Sequence, residues 1–154
     1  MKITTLLIFV FFSSLFCEKY KVLYVVDGDT FDVDLNRNGK IEKKKERVRL
    51  LGVDTFETRR DKRLKEQAKY WNMSINEALQ LGKDAKKFAI DQLLKKDVKL
   101  DKKGRDRYNR LLAYVVVDNK DFGSMLLKSG LAAVYRKNKK HKNYKLYDSL
   151  EKDL

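Results

Sequence analysis

The amino-acid sequence predicts a small closed β-barrel with helices packed around it, a fold of the α+β class. Its 154 residues, of which 43% are hydrophobic, are enough for one compact domain with a single core. Five short segments have the β-branched or alternating patterns of strands, and a long helical pattern follows the third of them. Short strands interrupted once by a helix fit a closed barrel better than a parallel sheet, in which strands and helices alternate. The predicted order of elements is β-β-β-α-β-β-α-α.

The first three predicted strands form a meander. They are residues 21–26, 30–35 and 47–53. The second of these strands alternates apolar and polar residues, which predicts a half-buried strand. Residues 36–39 predict a tight hairpin turn, because their Asn-Gly pair suits the positive φ angles of a type I′ turn. From Asp34 onward the same segment also resembles the start of an EF-hand loop, but Lys45 stands where that loop needs a bidentate Glu.

The second half of the chain contains the predicted helices. Ser74 and Glu77 have the spacing of a capping box, and apolar residues at helical spacing continue to residue 94, with Gly82 as a possible kink or break. Residues 59–72, which precede this helix, form a polar stretch with no assigned element. The later elements are strands at residues 97–101 and 111–117, a short helix at 122–127 and a C-terminal helix from about residue 144.

The charge of the chain indicates a polyanionic partner. Lys and Arg number 36 against 22 Asp and Glu, which gives a net charge of +14. This balance favours nucleic acid or an anionic surface as the partner. A single His and a single Cys exclude a two-histidine zinc site, a disulfide framework and a pair of catalytic histidines. Any catalysis would therefore use carboxylates, Arg, Lys, Tyr or a hard metal ion.

Residues 1–17 have the pattern of a secretory leader. Lys2 precedes an apolar stretch over residues 3–12, and small residues follow it near Cys17. An uncleaved N-terminal anchor and a buried strand are the alternatives, and Cys17 is also a candidate for lipidation at a lipoprotein-type cleavage site. We therefore expect a protein that is secreted or held in the cell envelope, whether periplasmic or lipid-anchored, with residues 18–154 as its single domain.

Two acidic motifs lie at the ends of the early strands. Residues 27–30 (DGDT) join the first two strands, and residues 49–58 place Arg49 in an apolar strand that ends in Asp54 and Glu57. Each motif also has a plain structural explanation, which is a hairpin turn for the first and surface charge at a strand end for the second. An Arg on the core side of a strand, however, needs a counter-charge or a phosphate. Clustered carboxylates at strand ends can hold Ca²⁺ or Mg²⁺.

A third motif is basic and contains one aromatic residue. Residues 102–110 include five Lys or Arg together with Gly104 and Tyr108. Such a loop could bind a phosphate backbone through its cations and stack a base on Tyr108. A solvated charged hairpin is the alternative.

The three motifs, DGDT, R-L-L-x-V-D-T-x-E-T and D-R-Y-x-R-x-L-A-Y, together resemble the staphylococcal nuclease (thermonuclease) family over residues 21–135. The resemblance implies a five-stranded OB-fold barrel with about three α-helices. It also implies a Ca²⁺-dependent endonuclease that hydrolyses the phosphodiester bonds of DNA and RNA and leaves 3′-phosphorylated and 5′-hydroxyl ends. We expect a monomer that acts on DNA and RNA without a protein partner, and that touches a membrane only through its leader or a lipid anchor.

The resemblance also assigns roles to individual residues by motif match. It implies Ca²⁺ binding by two carboxylates and one backbone carbonyl, those of Asp29, Asp54 and Thr55. It implies one general base and two groups that clamp the scissile phosphate, namely Glu57, Arg49 and Arg110. Arg can bind two phosphate oxygens at once, so Lys would be a poor replacement at either clamp position.

Several aromatic and basic residues are candidates for substrate binding. Arg107 and Tyr108 match positions that line the nucleotide pocket in the family. Tyr135 is a further candidate beside that pocket, with packing against the barrel as the alternative. For the aromatic pair at residues 70–71 core packing is the default and base stacking the alternative. His141 lies in a run of lysines and is predicted to be a solvated member of a basic patch.

The sequence departs from the family pattern in four places. Phe56 replaces a usual proline, and Asn109 replaces a usual glycine. Residues 59–81 form a longer segment than in the best-known member, and the loop before Arg110 is about one residue shorter. These changes bear on substrate preference and loop position more than on the chemistry. Two other functions stay open: a non-catalytic OB-fold module that binds single-stranded nucleic acid, and an exported basic protein that binds anionic lipid or polymer of the envelope.

Overall fold

The computed structural model describes residues 18–42, 45–136 and 141–153. The predicted leader at residues 1–17, including Cys17, lies outside these ranges. No helix within them is long and apolar enough to cross a membrane. The described residues form eight strands and four helices. In chain order these are β1 (Lys19–Val25), β2 (Thr30–Val33), β3 (Arg47–Leu50), β4 (Val53–Asp54), α1 (Lys62–Tyr70), α2 (Ile75–Leu93), β5 (Asp97–Arg105), β6 (Leu111–Val117), β7 (Lys120–Asp121), α3 (Phe122–Lys128), β8 (Ala133–Val134) and α4 (Tyr144–Lys152).

Five of the strands close into a barrel. The main sheet has the order β3-β2-β1-β5-β6-β7, and β3 also pairs with β6, so the sheet closes on itself. The β3–β6 pairing is parallel, with Val48 opposite Leu111, whereas the other pairings in the sheet are antiparallel. Outside the barrel, β4 and β8 pair through Val53 and Val134. The predicted five-stranded barrel with helices is confirmed.

The barrel interior is filled by side chains from one face of each strand. On β3, Val48 and Leu50 are almost fully buried, and Arg49 between them points to the outer face because successive strand residues alternate. Helix α3 adds Phe122, whose ring meets that of Phe31 on β2 edge-on, with 6.5 Å between centroids. The expectation that Arg49 lies on the core side is therefore wrong, and its outward direction leaves it available to the loops.

Strand β2 is more deeply buried than its alternating pattern predicts. All four of its residues are buried on both faces, including Asp32. The guanidinium of Arg47 on β3 donates hydrogen bonds to both carboxylate oxygens of Asp32, at 2.8 and 3.1 Å. Because this pairing satisfies the carboxylate, a polar residue can occupy a buried strand position. The prediction of a half-buried strand is thus wrong.

The connection between β2 and β3 is a long loop, so the predicted tight turn is also wrong. Its described residues, 34–42 and 45–46, form no strand or helix, and their positive φ angles fall on Arg37 and Gly39 but not on Asn38 between them. The Asn38-Gly39 pair therefore does not form a type I′ turn. The buried carboxylate of Glu46 accepts hydrogen bonds from three backbone N–H groups of the loop, at 3.0–3.2 Å.

Helix α1 occupies the polar stretch at residues 59–72, where the sequence pattern predicts no element. The Asp61 carboxylate caps its start by accepting a hydrogen bond from the N–H of Leu64 at 2.8 Å. Leu64 and Ala68 lie one turn apart and are buried with Ala78 of α2 in a second, smaller core. Two buried residues give only a weak apolar signal, and the described residues therefore contain four helices where about three were predicted.

Helix α2 begins as predicted and continues without interruption through Gly82. The Ser74 hydroxyl accepts from the N–H of Glu77 at 3.2 Å, and the Glu77 carboxylate accepts from the N–H of Ser74 at 2.8 Å. This is the predicted capping box. The predicted kink or break is wrong, because the helix runs unbroken to Leu93. Gly82 belongs to a row of small buried residues with Ala78, Ala85 and Ala89.

His141 is buried, so the prediction of a solvated basic patch at this position is wrong. Its ring packs against those of Tyr114, Tyr144 and Tyr147, with centroid distances of 6.1, 5.6 and 5.8 Å. It also lies against Gly52, where a Cβ atom would come within 2.7 Å of the ring. Neither ring nitrogen has a hydrogen-bond partner among the described residues. Burial lowers the pKa of His141, so this ring is neutral at neutral pH.

We predict that His141 makes the fold less stable as the pH falls below about 6.5, the ordinary pKa of His. The unfolded chain takes up a proton there while the buried ring resists it, so the unfolded state binds more protons and stability rises with pH. Denaturant unfolding of the wild type and of His141→Leu should show a stability difference that moves in favour of the wild type between pH 5 and 7, by up to about 1.4 kcal/mol per pH unit. Above pH 7 the difference should be constant. Parallel pH profiles of the two proteins would contradict this.

Candidate active site

Arg49, on the outer face of β3, is the centre of the site. Its guanidinium donates to the carboxylate of Asp29, in the turn between β1 and β2, and to that of Asp54, at 2.5 Å. The antiparallel pairing places Arg49 opposite Thr30, and this brings the turn next to it. Burial opposes the charge on Arg49, but the two carboxylates outweigh burial and raise its pKa. Arg49 is therefore a fixed positive charge that holds two carboxylates together.

Asp29 is enclosed and held in place by hydrogen bonds. Its carboxylate accepts from the hydroxyl of Thr30 at 3.0 Å and from the N–H of Thr55 at 2.9 Å. Burial alone would raise the pKa of Asp29, but Arg49 and the Thr55 N–H lower it, so this carboxyl is ionised. Asp27 differs, because burial and the neighbouring Asp29 raise the pKa of Asp27 to about 8. The turn therefore carries mainly one negative charge at neutral pH.

Helix α1 contributes two side chains to the site, Arg63 and Gln67. Arg63 forms ion pairs with Asp54 and with Glu57, both at 2.6 Å. The Gln67 amide donates to the backbone carbonyl of Thr55 at 2.9 Å and accepts from the N–H of Glu57 at 3.1 Å. Residues 63 and 67 are one turn apart on the same helix face. The segment that carries the acids is therefore bound to a helix on its outer side.

The carboxyl group of Glu57 is half-buried beside other acids. Burial raises the pKa of Glu57, and the carboxylates of Asp29, Asp61 and Asp54 act in the same direction, while Arg63 opposes them. The net result is a raised pKa. A carboxylate of raised pKa accepts a proton more readily, as a general base must.

On its inner side the site rests against the small residues of α2. A Cβ at Gly82 would collide with the backbone carbonyl of Glu57 and would lie 2.8 Å from that of Phe56. A Cβ at Gly28 in the β1–β2 turn would lie 2.7 Å from the Ala85 side chain. Both acid-bearing loops therefore approach α2 more closely than larger residues would permit, and this packing sets their separation.

Arg110 is held by a tight turn, residues 106–110. The Asp106 carboxylate accepts from the side chain of Arg110 at 2.7 Å and from its backbone N–H at 2.9 Å. Asn109 has a φ of 64°, a left-handed conformation that Asn adopts more readily than most residues. The strand before the turn, β5, extends to Arg105, so the predicted loop over residues 102–110 is shorter than expected.

A cavity of about 230 Å³ brings the guanidinium groups together. Arg49, Arg63 and Arg110 line it, with Tyr135 and Asp106. The two predicted phosphate-clamp residues, Arg49 on β3 and Arg110 in the turn before β6, therefore line the same cavity although they lie far apart in the sequence. Such a cavity offers several planar, bidentate donors to one anion.

The predicted substrate residues of the third motif lie at the surface. Tyr108 is 64% exposed, and its ring is flanked by the guanidinium carbons of Arg107 and Arg110, at 4.8 and 5.5 Å from the ring centroid. The Tyr108 hydroxyl accepts from Arg107 at 2.7 Å. Tyr135 is 36% exposed and lies at the cavity, so the alternative of packing into the barrel does not describe it.

The predicted metal ligands Asp29, Asp54 and Thr55 are adjacent, and their oxygens suit a hard divalent cation. Each of these oxygen-bearing groups already has protein partners: Arg49 for both carboxylates, and Gln67 for the Thr55 carbonyl. Within the described ranges, no group of three His, Cys, Asp or Glu side chains is placed to hold a metal ion. These oxygens are of the kind that a hard divalent cation takes, and such a cation would have to replace part of the pairing with Arg49.

Three residues of this site were not predicted from the sequence: Asp27, Arg63 and Gln67. The last two follow from α1 and were available in principle, because Asp61 is a capping residue and residues 63, 67 and 70 are spaced along one helix face. The protonation state of Asp27 depends on its burial by distant parts of the chain, and the local sequence does not show this burial.

The fold and the site together define a small barrel whose rim holds carboxylates and guanidinium groups around one cavity. A family model described as staphylococcal nuclease homologue matches residues 47–153. A thermonuclease of Staphylococcus hyicus is 37% identical over 129 residues, which are 80% of this chain and 64% of that protein. A thermonuclease of Staphylococcus intermedius is 37% identical over 118 residues, 75% of this chain and 58% of that protein.

The similarity extends to Bacillus subtilis, whose endonuclease YncB is 38% identical over 123 residues, 75% of this chain and 49% of that protein. The chain belongs to the staphylococcal nuclease family. It spans between about half and two thirds of the length of these relatives.

We predict that Gly82→Ala destabilises the protein although alanine favours helices. The added Cβ meets the carbonyls of Phe56 and Glu57, and overpacking of this kind costs about 1–3 kcal/mol. Lys83→Ala, at an exposed position of the same helix, is the matched control and should change the free energy of unfolding by less than about 0.5 kcal/mol. Equal or greater stability of Gly82→Ala in urea unfolding would show that the acidic loop does not need this close approach.

Proposed function

We propose that this protein is a Ca²⁺-dependent endonuclease that hydrolyses the phosphodiester bonds of DNA and RNA. The observation that carries the proposal is that Arg49 and Arg110 line one cavity, and that Arg49 also contacts the acids Asp29 and Asp54. The similarity to a thermonuclease and an endonuclease supports the same activity. The net charge of +14 suits a polyanionic substrate.

The two guanidinium groups bind the scissile phosphate in this proposal. Arg49 is held by its carboxylate pairs and Arg110 by Asp106, so both guanidinium groups are already positioned at the cavity before they exchange a carboxylate for a phosphate oxygen. Fixed donors of this kind stabilise a transition state more than mobile ones.

Asp29, Asp54 and the carbonyl of Thr55 would hold Ca²⁺, and a bound Ca²⁺ supplies positive charge and polarises a phosphate oxygen. Arg63 contacts Asp54 and Glu57, so this guanidinium competes with a cation for the same acids. The side chain of Arg63 is 49% exposed, and it can leave the acids for a phosphate at modest cost.

Glu57 accepts the proton of the attacking water in this proposal. The water oxygen forms a bond to phosphorus while the bond from phosphorus to the 5′ oxygen breaks, and the 5′ oxygen takes a proton from solvent. The products are a 3′-phosphate and a 5′-hydroxyl. The raised pKa of Glu57 supports its role as the base.

A non-catalytic module that binds single strands is the second candidate function. The exposed Tyr108 between two guanidinium groups could stack a base without any chemistry. Export of the protein to the envelope or medium is a separate proposal and rests on the leader pattern of residues 1–17.

We predict that the purified protein digests single-stranded and double-stranded DNA and RNA when Ca²⁺ is present. Chelation should abolish product formation, and renewed Ca²⁺ should restore it. End analysis of the products should find 3′-phosphates. A folded sample that binds DNA in chelator, and forms no product with Ca²⁺, would instead establish the binding module.

We predict that Glu57→Gln lowers turnover by about 100- to 10,000-fold with little change in substrate affinity, because it removes a proton acceptor and keeps the shape of the side chain. Asp91→Asn, at an exposed position of α2, removes an equal charge outside the site and serves as the control. Steady-state kinetics on an oligonucleotide would measure both. Unchanged turnover of Glu57→Gln would exclude Glu57 as the base.

A further inference from the structure

A second cavity, of about 380 Å³, lies between α1 and β8 and adjoins the active site. Asp54, Arg63 and Gln67 line one part of it, and Tyr70, Trp71 and Tyr135 line another. Arg63 and Tyr135 also line the cavity that contains Arg49 and Arg110. The two cavities therefore form one continuous groove. Its volume lies within the range of about 300–1,000 Å³ that is usual for ligand sites.

The aromatic side chains of this groove are unusually exposed. Tyr70 is 76% exposed and Trp71 is 41% exposed, so the core packing expected for this pair is wrong. Their rings contact each other edge to face, with 5.3 Å between centroids. Clustered exposed apolar surface of this kind marks an interaction site.

The end of α1 holds the aromatic pair in a fixed position. The N–H of Trp71 donates to the carbonyl of Gln67 at 3.0 Å at the end of α1, and Leu64 and Ala68 anchor the helix on α2. Eight residues separate Arg63 from Trp71, so the pair lies about 12 Å along the helix from the guanidinium that contacts the acids.

The guanidinium groups of the groove, and its continuity with the active site, favour a strand of nucleic acid as the molecule that binds there. The groove begins at the guanidinium groups that would hold the scissile phosphate and ends at flat π surfaces, and this is the combination that single-strand-binding proteins use. We propose that Tyr70 and Trp71 form a base-stacking subsite for an unpaired nucleotide next to the cleaved bond. The inference rests on the nuclease function proposed above and makes single strands the preferred substrate, because paired bases cannot leave their stack without cost.

The test uses Trp71, the only Trp in the chain, as an intrinsic fluorescent probe. The full protein in chelator is titrated with a thymidine oligonucleotide and with an abasic oligomer of the same length. The proposal requires that the thymidine oligonucleotide changes the Trp71 emission at saturation and that the abasic oligomer does not. An equal change with both would mean that only the backbone binds there. A change on protein dilution alone would mean that a second copy of the chain covers the groove. Each of these two results, and the absence of any change, would overturn the proposal.

Affinity measurements on variants provide the second readout. Tyr70→Ala and Trp71→Ala should each weaken binding of the thymidine oligonucleotide by about fivefold or more, with no change for the abasic oligomer. Trp71→Phe, which keeps an aromatic ring, should restore most of the affinity. Tyr24→Ala is the matched control, since Tyr24 is 45% exposed on β1 and lies outside the groove. Equal affinities for all four variants would reject the subsite.

Measurements of hydrolysis distinguish the base-stacking subsite from the nuclease function. If the wild type digests DNA with Ca²⁺ but shows no base-dependent signal, the subsite is wrong and the nuclease function stands. If base-dependent binding occurs without hydrolysis under any condition, the nuclease function is wrong and the subsite stands. With both correct, Trp71→Ala should raise the KM for single strands more than it lowers kcat, and should reduce the preference for single strands over duplex.

Discussion

The pairing of Arg49 with Asp29 and Asp54 is the interaction on which the site depends. Two ionised carboxylates that are brought together in a poorly solvated place repel each other, and a charge between them makes the arrangement stable. Arg49 supplies that charge from the outer face of a barrel strand, with a side chain that is only 14% exposed. The same pairing links the β1–β2 turn to the segment after β3. Removing the guanidinium alone would leave the buried Asp29 without its charge partner, whereas Asp54 would keep its ion pair with Arg63. A substitution of Arg49 would therefore change the structure of the site together with its chemistry.

The two helices that flank the acids contact the acid-bearing loops in different ways. Helix α2 presents Gly82 and Ala85, so the loops can lie directly on the helix and their separation is set by backbone contact. Helix α1 presents long polar side chains, Arg63 and Gln67, which bind the same loop from outside. Positions held by helices are more exact than positions held by free loops. Helix α1 therefore holds the acid-bearing segment in place and adds the guanidinium of Arg63 to the rim.

Local sequence patterns predict those features of the structure that depend on residues close together in the sequence. The strands of the barrel, the capping box at Ser74 and Glu77, and the grouping of Arg49 with two acids all follow from residues close in sequence or from ordered motifs. The errors have a common cause in long-range contacts. The sequence around Asp32 predicts a solvent-facing side chain, because it does not show that Arg47 pairs with the carboxylate. The sequence around His141 predicts a surface residue, because it does not show that three tyrosine rings pack against the imidazole. The sequence pattern does not predict helix α1, because only two of its residues are buried and both pack on α2. Two buried residues give too weak a helical period of apolar residues to identify a helix.

In the proposed function, the ion pairs at the rim would allow one site to accept both a cation and an anion. Arg49 pairs with Asp29 and Asp54, Arg63 pairs with Asp54 and Glu57, and Arg110 pairs with Asp106. A phosphate alone would have to draw guanidinium groups away from carboxylates, and a divalent cation alone would leave Arg63 without its partners. When both bind in the proposed function, Arg49 and Arg63 exchange carboxylates for phosphate oxygens while the cation takes those carboxylates, so each of these groups keeps a partner of opposite charge. Binding of metal and of substrate should therefore be mutually favourable, because each supplies the partner that the other displaces.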